Sequence, residues 1–457
     1  MIQQLQNKFT QTMTVVFFST NTNIYDGRMH FFNKPSARDF LSELMAAFPD
    51  TQFYVVTQRP GMFLADIDQN GNIIECPGIK YIVADNEDAR TFAQRIVSLN
   101  PDTAVAASFW VTPFDWLGLS DALVAEYLEQ AGIKTICNTS KTQYTCFDKN
   151  VTHDFLTANN FCTPRSIFVH RERFIAERGR AEIHTNAYRE YIFSELDKLN
   201  YPVVIKDTSG LSSYGMEVVK SSKAARGFLC SKNCSCDKIV QEFIEGISFG
   251  TEIYGRNGDY EVMDPFMFSV NKYGLTSPKQ SVKLGPVTAE CFCTADMKRE
   301  LKRLADVLCI DGIAQVDLIF NPEQKKWYII EINPRLSGMT KSVAAANGFN
   351  FLAALYDKNT AFCRLNKKFV LTFKFPILDE RTLVQLCGFP GILSISQTVN
   401  DAAKQQRECG FCEVVTGGTD SIVELSECLE KIKDAFPEVM EDVFYEKAKE
   451  MLSLIKP

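Results

Sequence analysis

Two linked segments decide the fold of this chain: Gln315-Val316-Asp317, and the run Glu331-Ile332-Asn333-Pro334-Arg335-Leu336-Ser337-Gly338, which starts fourteen residues further on. Each segment belongs to an apolar run, residues 313–320 in the first case and 327–332 in the second. The polar residues 321–326 between the two runs predict a turn. Apolar runs of this length, joined by a short polar turn, are typical of two neighbouring strands in one sheet.

The two strands would place three oxygen-bearing side chains on one surface. Asp317 and Glu331 lie inside or at the end of apolar runs, where a carboxylate is costly to bury unless it is paired or binds a metal ion. Asn333 follows Glu331 by two residues, so both side chains leave the same face of a strand. Two carboxylates and an amide oxygen form a hard oxygen site that suits Mg²⁺ or Mn²⁺ bridging phosphates. We predict Asp317, Glu331 and Asn333 as metal ligands; the alternative is a pair of half-exposed, salt-bridged carboxylates.

The composition limits the class of protein. The chain has 457 residues, too many for one core, so two to four domains are expected. A net charge of -7 without a basic block argues against nucleic acid as a partner, and no apolar run reaches membrane-spanning length. The polar start lacks the apolar core of a signal peptide. We therefore expect a cytoplasmic protein whose fifteen cysteines remain thiols and do not bind structural zinc.

Strand and helix patterns alternate through the first 140 residues. Apolar strand candidates alternate with amphipathic helices, which predicts a parallel sheet covered on both sides. The candidates are the strands 14–19, 53–56, 103–109 and 135–138, and the helices 37–48, 88–99 and 121–130. Neither GxGxxG nor GxxxxGK[ST] occurs in the chain, so a dinucleotide-binding fingerprint and a Walker loop are both absent.

The carboxylate segments resemble the metal-binding signature of the ATP-grasp superfamily, whose members join a carboxylate to an amine or another nucleophile through an acyl phosphate. The resemblance extends from about residue 14 to residue 348 and implies an ATP-grasp fold of mixed α/β and α+β class. The implied parts are an N-terminal parallel α/β domain (1–140), a small lid with the first ATP-grasp subdomain (141–245), a second, antiparallel-sheet ATP-grasp subdomain with the metal site (246–360), and a C-terminal α+β domain (361–457). The last part is similar to the extra domain of carboxylate–amine ligases such as the bacterial L-amino acid ligases.

The resemblance assigns phosphate-binding roles to two lysines and a loop. Lys149 opens a helix and Lys206 ends an apolar strand, and both would contact the nucleotide phosphates, with Lys206 also counted as catalytic. The Gly/Ser-rich residues 207–215 would cover the phosphates, because backbone N–H groups and hydroxyls can hold anionic oxygens. The loop members expected to bind ATP are Ser212, Ser213 and Gly215. The alternatives are solvated lysines and a hairpin tip of the same composition.

Residues 241–244 resemble the superfamily's linker, which lines the adenine pocket. There the carbonyl of Glu242 and the N–H of Ile244 would contact the adenine edge. Gln241 stands where many relatives carry a glutamate, and its amide oxygen can accept the same hydrogen bond. Phe243 would line the pocket, although plain core packing is the alternative for Phe243 and Ile244. The usual ribose-binding position holds a serine, so Glu252 is the nearest candidate for the ribose.

Catalytic and substrate-binding roles fall on residues near the second carboxylate. Gln315 stands where some relatives, D-alanine–D-alanine ligases among them, have an arginine, so Arg335 is the candidate that stabilises charge at the reacting carbonyl and binds a substrate carboxylate. A surface arginine is the alternative. Lys283 could meet a phosphate or a substrate carboxylate, although a solvated loop lysine is the more ordinary state. Ser337 and Gly338 open a helix whose N-terminus favours the acceptor's carboxylate.

The function that the resemblance implies is an ATP-dependent ligase. It would join a small-molecule carboxylate, an amino acid in the simplest case, to an amine and release ADP and phosphate. Two alternatives remain open: an enzyme that activates bicarbonate, as carboxylases and carbamoyl-phosphate synthases do, and a nucleotide-binding protein without turnover. We find no biotinyl or glutaminase module, and no expected metal ligand or phosphate lysine is missing. Dimers are frequent among relatives, so a homodimer is compatible with the sequence, which names neither substrate.

Overall fold

The computed structural model describes residues 12–20, 29–58, 64–68, 72–85, 87–109, 117–176, 186–209, 216–232, 234–271, 281–400 and 410–455. Within these ranges the strands form sheets of five, four, ten and two strands. The predicted combination of one parallel sheet, antiparallel sheets and covering helices is confirmed. In the described part of the chain, no helix is both long enough and apolar enough to cross a membrane.

The N-terminal part contains the parallel five-stranded sheet, in the order β6-β3-β1-β7-β8. The elements of the N-terminal part are β1 (Met13–Ser19), β2 (Met29–Lys34), α1 (Ala37–Ala47), β3 (Thr51–Thr57), β4 (Asp66–Ile67), β5 (Ile73–Ile74), β6 (Lys80–Val83), α2 (Ala89–Val97), β7 (Thr103–Ala106), α3 (Leu117–Gln130) and β8 (Lys134–Ile136). Of these strands, β2, β4 and β5 lie outside the five-stranded sheet. Alternate residues of β1 enter different cores: Val15 and Phe17 pack toward α1, whereas Val16 and Phe18 pack toward α2 and α3. Helices therefore cover both faces, as the alternating pattern predicts.

The next part is a separate four-stranded antiparallel sheet in the order β11-β10-β12-β9. Its elements, with the two helices that precede it, are α4 (Ser140–Phe147), α5 (Lys149–Ala158), β9 (Ser166–Val169), α6 (Arg171–Ile175), α7 (Ala187–Leu196), β10 (Val203–Asp207), β11 (Glu217–Val219), α8 (Ser222–Cys230) and β12 (Lys238–Glu242). Val203, Ile205 and Val240 pack under the helices, so the alternate residues Lys206 and Gln241 face the other way.

The remaining strands of the described residues, β13 to β21, form one ten-stranded sheet together with β2, in the order β18-β17-β13-β15-β16-β19-β21-β20-β2, with β14 paired to β13. The elements are β13 (Ile247–Arg256), β14 (Asp259–Val262), β15 (Phe266–Phe268), β16 (Ser281–Gly285), a 3₁₀ turn (Glu290–Phe292), α9 (Thr294–Leu308), β17 (Gly312–Asn321), β18 (Lys326–Asn333), α10 (Thr340–Asn347), α11 (Phe351–Tyr356), α12 (Lys358–Phe362), β19 (Phe369–Phe375), α13 (Glu380–Cys387), β20 (Ile392–Asn400), β21 (Gly410–Thr419), α14 (Ile422–Ala435) and α15 (Asp442–Ile455).

The long sheet differs from the prediction in one place. The sequence of residues 259–290 predicts one strand and a long loop, whereas the structure has the three strands β14, β15 and β16 there. β19 pairs with β16, so the strands of the predicted C-terminal α+β domain continue the sheet that carries the carboxylates. The short strands β15 and β16 supply the missing link, and three to five residues are too few to give a clear alternating pattern.

The two faces of the long sheet are different in character. Val316 and Leu318 of β17, Val282 and Leu284 of β16 and Leu371 of β19 enter one large core, together with residues of α9, α14 and α15. The alternate residues of the same strands, such as Asp317, Lys283 and Thr372, lie on the opposite face. We call this second surface the polar face. α10 lies over part of it, and the Thr372 hydroxyl donates to Ser342 Oγ of that helix at 2.9 Å.

Candidate active site

The predicted strand pair is confirmed by the register of β17 and β18. The strands are antiparallel, and Asp317 lies directly opposite Glu331, while Gln315 lies opposite Asn333. The register shifts just beyond Asp317, where a bulge makes Leu318 face Ile329. Residues directly opposite each other have Cβ atoms about 4.5–5.5 Å apart. The two carboxylates and the Asn333 amide therefore meet on the polar face.

Hydrogen bonds from one glutamine fix the orientation of these side chains. Gln315 Nε2 donates to Asp317 Oδ1 at 2.7 Å, and Gln315 Oε1 accepts from Asn333 Nδ2 at 2.9 Å. Arg335 Nη2 donates to the other end of the amide, Asn333 Oδ1, at 3.0 Å. Gln315 thus positions Asp317 and Asn333, a role that its sequence did not reveal. Gln315 and Asp317 are two residues apart and so lie on the same strand face, which is the only sequence feature that points to this contact.

The electrostatics of the carboxylate pair suit a divalent cation. Burial and, to a lesser degree, the neighbouring Glu331 carboxylate raise the pKa of Asp317 to about 7, against the lowering effects of the Gln315 hydrogen bond, Lys283 and Arg335. Two carboxyl groups that oppose each other's ionisation gain most from a positive ion between them. Among the described residues, no group of three or more His, Cys, Asp or Glu side chains is arranged to hold a metal ion by itself. Two carboxylates and an amide are nevertheless sufficient for Mg²⁺ when substrate phosphates supply further oxygens.

Both predicted phosphate lysines lie at this carboxylate pair. Lys149 Nζ is 3.6 Å from Glu331 Oε1, and its backbone N–H donates to Thr208 O at 2.7 Å, which ties the start of α5 to the end of β10. Burial and the positive charge of Lys149 lower the pKa of Lys206 to about 8, while Glu331 and Asp317 raise it. The structure therefore brings together two lysines and two carboxylates from segments far apart in the chain.

The linker and loop residues have mixed outcomes. Gln241 is buried, and its Nε2 donates to Ser166 Oγ at 3.0 Å, which leaves its amide oxygen as the acceptor. Glu242 uses its own N–H on Arg165 O, and Phe243 N–H donates to Pro202 O. Within the described ranges, the Ile244 N–H has no backbone hydrogen-bond acceptor. An adenine contact by this N–H requires that it be uncommitted. The loop members Ser212, Ser213 and Gly215 lie outside the described residues.

Two predicted residues do not suit the roles assigned to them. Glu252 is fully buried, and its carboxylate accepts hydrogen bonds from the hydroxyls of Tyr254 at 2.8 Å, Ser337 at 3.0 Å and Thr340 at 2.6 Å. A ribose contact by Glu252 does not fit this arrangement, which instead anchors the start of α10. The Ser337 hydroxyl is committed to Glu252 and its N–H donates to Thr340 Oγ1, so substrate binding by Ser337 does not fit either. Gly338, by contrast, is exposed.

The segment that carries these residues is similar in sequence to a known protein family, and the fold of the chain is similar to solved structures. Residues 146–339, which include both lysines and all three predicted metal ligands, match the family model of the ATP-grasp domain. The chain contains an ATP-grasp domain. The L-amino acid ligase from Bacillus licheniformis superposes on this chain with a TM-score of 0.61, at 16% identity and with 94% of this chain and 97% of that chain covered. At this identity the likeness shows the fold, and the predicted ATP-grasp fold is confirmed.

Curated relatives of the ATP-grasp domain have different activities. A carbamoyl-phosphate synthase of Methanobrevibacter smithii is 27% identical over 161 residues, which are 35% of this chain and 43% of that protein. A D-alanine–D-alanine ligase of Francisella philomiragia is 24% identical over 265 residues, which are 56% of this chain and 79% of that ligase. The matched region thus spans less than half the length of the Methanobrevibacter synthase.

The turn that carries Arg335 is held by residues outside the ATP-grasp match. Asn138 Nδ2 donates to Ile313 O at 2.8 Å and to Pro334 O at 3.0 Å, and Gln143 Nε2 donates to Pro334 O at 3.0 Å. Asn138 and Gln143 are both buried. They connect the end of the N-terminal part to the segment that follows Asn333. Neither residue is predictable from the sequence, because nothing in the local pattern around Asn138 or Gln143 indicates a partner almost 200 residues away.

Lys283 belongs to strand β16, so the solvated-loop alternative for it is wrong. Its Nζ donates to Gly338 O at 3.0 Å and lies 3.5 Å from Glu413 Oε2, and its side chain is only 16% exposed. A strand places Lys283 on the polar face together with Asp317, whose pKa its charge lowers. Lys283 therefore lies between the ATP-grasp carboxylates and the C-terminal strands.

A separate cleft lies behind the carboxylates. Its volume is about 740 Å³, and its lining includes His153, Cys162, Arg299 and Trp327. Leu318 and Ile329, whose side chains point away from the polar face, also line it. None of the predicted site residues that the structure describes lines this cleft. The candidate active site is therefore on the polar face of β17 and β18, opposite this cleft.

Proposed function

We propose that this protein is an ATP-dependent ligase that joins a carboxylate, such as that of an amino acid, to an amine through an acyl phosphate. One observation carries the proposal: Lys149 and Lys206 converge on the Asp317–Glu331 pair, with Lys149 Nζ 3.6 Å from Glu331 Oε1. Phosphoryl transfer needs few covalent contributions from the protein and depends on positioning and on charge neutralisation. Two cations and a metal-binding carboxylate pair supply that neutralisation around a triphosphate.

Asp317, Glu331 and Asn333 would hold Mg²⁺ or Mn²⁺. When bound, the ion would neutralise negative charge on the phosphates, which hard oxygen ligands permit. The two half-buried carboxylates, of which Glu331 raises the pKa of Asp317, favour such an ion, and Gln315 keeps Asp317 and Asn333 in place for it. Arg335 donates a hydrogen bond to Asn333 Oδ1. When that amide oxygen binds the metal ion, this hydrogen bond would weaken or break, and the Arg335 guanidinium would then donate to a substrate oxygen.

The chemistry would proceed in two displacements. An oxygen of the substrate carboxylate attacks the γ-phosphorus of ATP, the bond to the β–γ bridging oxygen breaks, and ADP leaves. The amine nitrogen then attacks the acyl carbon, phosphate leaves with the electron pair of the C–O bond, and the nitrogen loses a proton. Lys149 and Lys206 offset the phosphate charge in the first step, and Arg335 stabilises the oxyanion of the second. No covalent side-chain nucleophile is required.

We also propose a modified division of the chain. The ATP-binding residues would lie between the four-stranded lid sheet of residues 141–245 and the polar face of residues 246–360. Residues 361–457 would extend the second subdomain, because β19, β20 and β21 continue its sheet. The N-terminal part, residues 1–140, would support the Arg335 turn through Asn138.

A second function has support from the relatives. The carbamoyl-phosphate synthase of Methanobrevibacter smithii is similar to this chain over 161 residues, so activation of bicarbonate is the runner-up. The same lysines and carboxylates would serve that reaction, since carboxyphosphate is also an acyl phosphate. The substrate, not the phosphate chemistry, separates the two functions.

The test is a phosphate-release screen of the purified chain with ATP and Mg²⁺. Amino acids would be supplied singly and in pairs, and bicarbonate would be supplied alone. Phosphate release that requires two amino acids supports the ligase, and release with bicarbonate alone supports the runner-up. The Glu331→Gln variant, which keeps the side chain's size, is the control for contaminating ATPases. Release that is equal in this variant, or no release with any substrate set, would contradict the proposed function.

A further inference from the structure

The polar face continues past the ATP-grasp carboxylates into a row of charged side chains. The register links Asp317 to Gly250 and Gly250 to Phe266. Phe268, two residues beyond Phe266, pairs with Lys283, which pairs with Thr372, so these residues share one face across β17, β13, β15, β16 and β19. Lys374, two residues beyond Thr372, lies opposite Glu413 of β21. Lys283, Lys374 and Glu413 thus belong to the same surface as Asp317.

A third lysine reaches this row from above the sheet. Lys341 of α10 is only 9% exposed, and its Nζ donates to Ser396 Oγ at 2.8 Å and to Asn33 Oδ1 at 3.0 Å. Ser396 lies opposite Glu413 in the register of β20 and β21. We call Lys283, Lys341, Lys374 and Glu413 the lysine cluster.

The lysine cluster has more positive than negative charge. Glu413 Oε2 is 3.5 Å from Lys283 Nζ, whereas Lys374 Nζ lies over the Phe411 ring, 3.8 Å from its centroid. Among the described residues, no carboxylate lies within ion-pair distance of Lys374. Burial lowers the pKa of both Lys341 and Lys374 to about 8, against the raising effects of Glu413 on both groups and of Asp66 on Lys341. The half-buried Lys374 ammonium, without a carboxylate of the described residues at ion-pair distance, is a group that an anion would stabilise.

The lysine cluster opens toward the candidate active site at Gly338. A Cβ atom built on Gly338 would meet no atom of the described residues within 4 Å, so these residues leave space beside its backbone. Lys283 Nζ donates to the carbonyl of this same residue. Arg335 precedes Gly338 in the chain, whereas Lys341 of the cluster follows it. A bound molecule could therefore reach from Arg335 to the cluster past a residue without a side chain.

We propose that the lysine cluster is a subsite for a second anionic group on one substrate. The inference rests on the proposed function: it adds that one of the joined molecules carries a carboxylate or a phosphate remote from the reacting atoms. Lys283, Lys341 and Lys374 bind that group, and Glu413 holds Lys283 in place. Molecules with an acidic side chain or a phosphorylated side chain share this chemistry.

Binding by matched probe pairs tests the subsite without turnover. Calorimetry would compare L-glutamate with L-glutamine, L-aspartate with L-asparagine, and O-phospho-L-serine with L-serine, in the presence of Mg²⁺ and a non-hydrolysable ATP analogue. At least one anionic member should bind about tenfold or more tightly than its neutral partner, as a charged hydrogen bond provides. The pair that shows the preference identifies carboxylate or phosphate as the group. Equal affinities within all three pairs would overturn the inference.

Two variants and a control connect the preference to the cluster. Lys374→Met should remove the preference, because it deletes an ammonium and keeps an unbranched chain. Glu413→Gln should preserve or increase it, because glutamine keeps an acceptor oxygen for Lys283 and removes a negative charge that repels the anion. An unchanged Tm of Lys374→Met excludes a folding defect in that variant. Lys368→Met is the matched control, since Lys368 lies just before the same strand and pairs with Asp420. A preference that survives in Lys374→Met would overturn the inference.

The two proposals fail in distinguishable ways. A Lys374-dependent preference without any phosphate release would support the subsite and contradict the ligase. Phosphate release that is equally fast with neutral and anionic members of every pair would support the ligase and contradict the subsite.

Discussion

Replacing Asp317 by asparagine should stabilise the metal-free protein at neutral and alkaline pH. Burial and the nearby Glu331 carboxylate raise the pKa of Asp317 from 3.8 to about 7. An acid whose pKa is raised by folding holds its proton more tightly in the folded state. Its ionisation therefore lowers the free energy of unfolding as the pH rises from about 4 to about 7. Asparagine has nearly the same shape and removes that cost.

The size of the effect follows from the two pKa values. One pKa unit corresponds to ~1.36 kcal/mol, so the ionised carboxylate costs the folded state at most about 4 kcal/mol above pH 7. At pH 5 most of the folded molecules keep the proton, and the cost falls below about 2 kcal/mol. Thermal unfolding in EDTA, measured at pH 5 and pH 8, should show a higher Tm for Asp317→Asn at pH 8 and a smaller difference at pH 5. Adding Mg²⁺ and ATP should raise the Tm of the unmodified protein and not that of the variant.

Asp264 provides a control of opposite sign. Its burial would raise the pKa of its carboxyl, but hydrogen bonds and charges from Lys298 and Lys367, each 2.6 Å away, outweigh this and lower the pKa. Asp264→Asn should therefore lower the Tm at pH 8. If Asp317→Asn is as destabilising as Asp264→Asn at pH 8, the carboxylate is not electrostatically unfavourable in the folded state, and the argument for a cation site fails.

Three further variants test individual roles in the candidate active site. Lys206→Ala should weaken ATP binding at least tenfold, since a buried ammonium near the phosphates is lost, and a calorimetric affinity equal to that of the unmodified protein would refute the role. Gln315→Leu should raise the Mg²⁺ concentration needed for half-maximal ADP formation by about 10–100-fold, as loss of an orienting partner does; an unchanged Mg²⁺ dependence would show that Gln315 does not position the ligands. Arg335→Lys should lower kcat at least tenfold and leave ATP binding unchanged, because lysine cannot reproduce the planar fork; equal kcat values would remove Arg335 from the chemistry.

The sequence was sufficient to predict the strand pair. The apolar runs around Asp317 and Glu331 are long, and the polar turn between them brings the two strands side by side, although the local pattern does not predict the bulge beyond Asp317. The roles of Lys149 and Lys206 came from the resemblance to the ATP-grasp superfamily and stay predictions, and the local pattern gives only the strand that contains Lys206. Side-chain alternation then places Lys206 on the face away from the lid core, without knowledge of the remaining fold.

Contacts between distant segments could not be predicted in this way. Asn138 and Pro334 are 196 residues apart, and no periodicity in either segment indicates that one holds the other. The burial of Glu252 depends on Ser337 and Thr340, which lie 85 and 88 residues further along the chain. The continuity of the long sheet depends on the three-residue strand β15, which is too short to recognise. Each of these features is set by tertiary packing and not by local propensity.

The most direct test of the metal assignment is a Mn²⁺ titration followed by electron paramagnetic resonance, with a non-hydrolysable ATP analogue present. The unmodified chain should bind Mn²⁺ in the presence of the nucleotide, and Glu331→Gln should bind it at least tenfold more weakly while its Tm in EDTA does not fall. Equal Mn²⁺ affinity in the two proteins would contradict a metal site at Asp317 and Glu331.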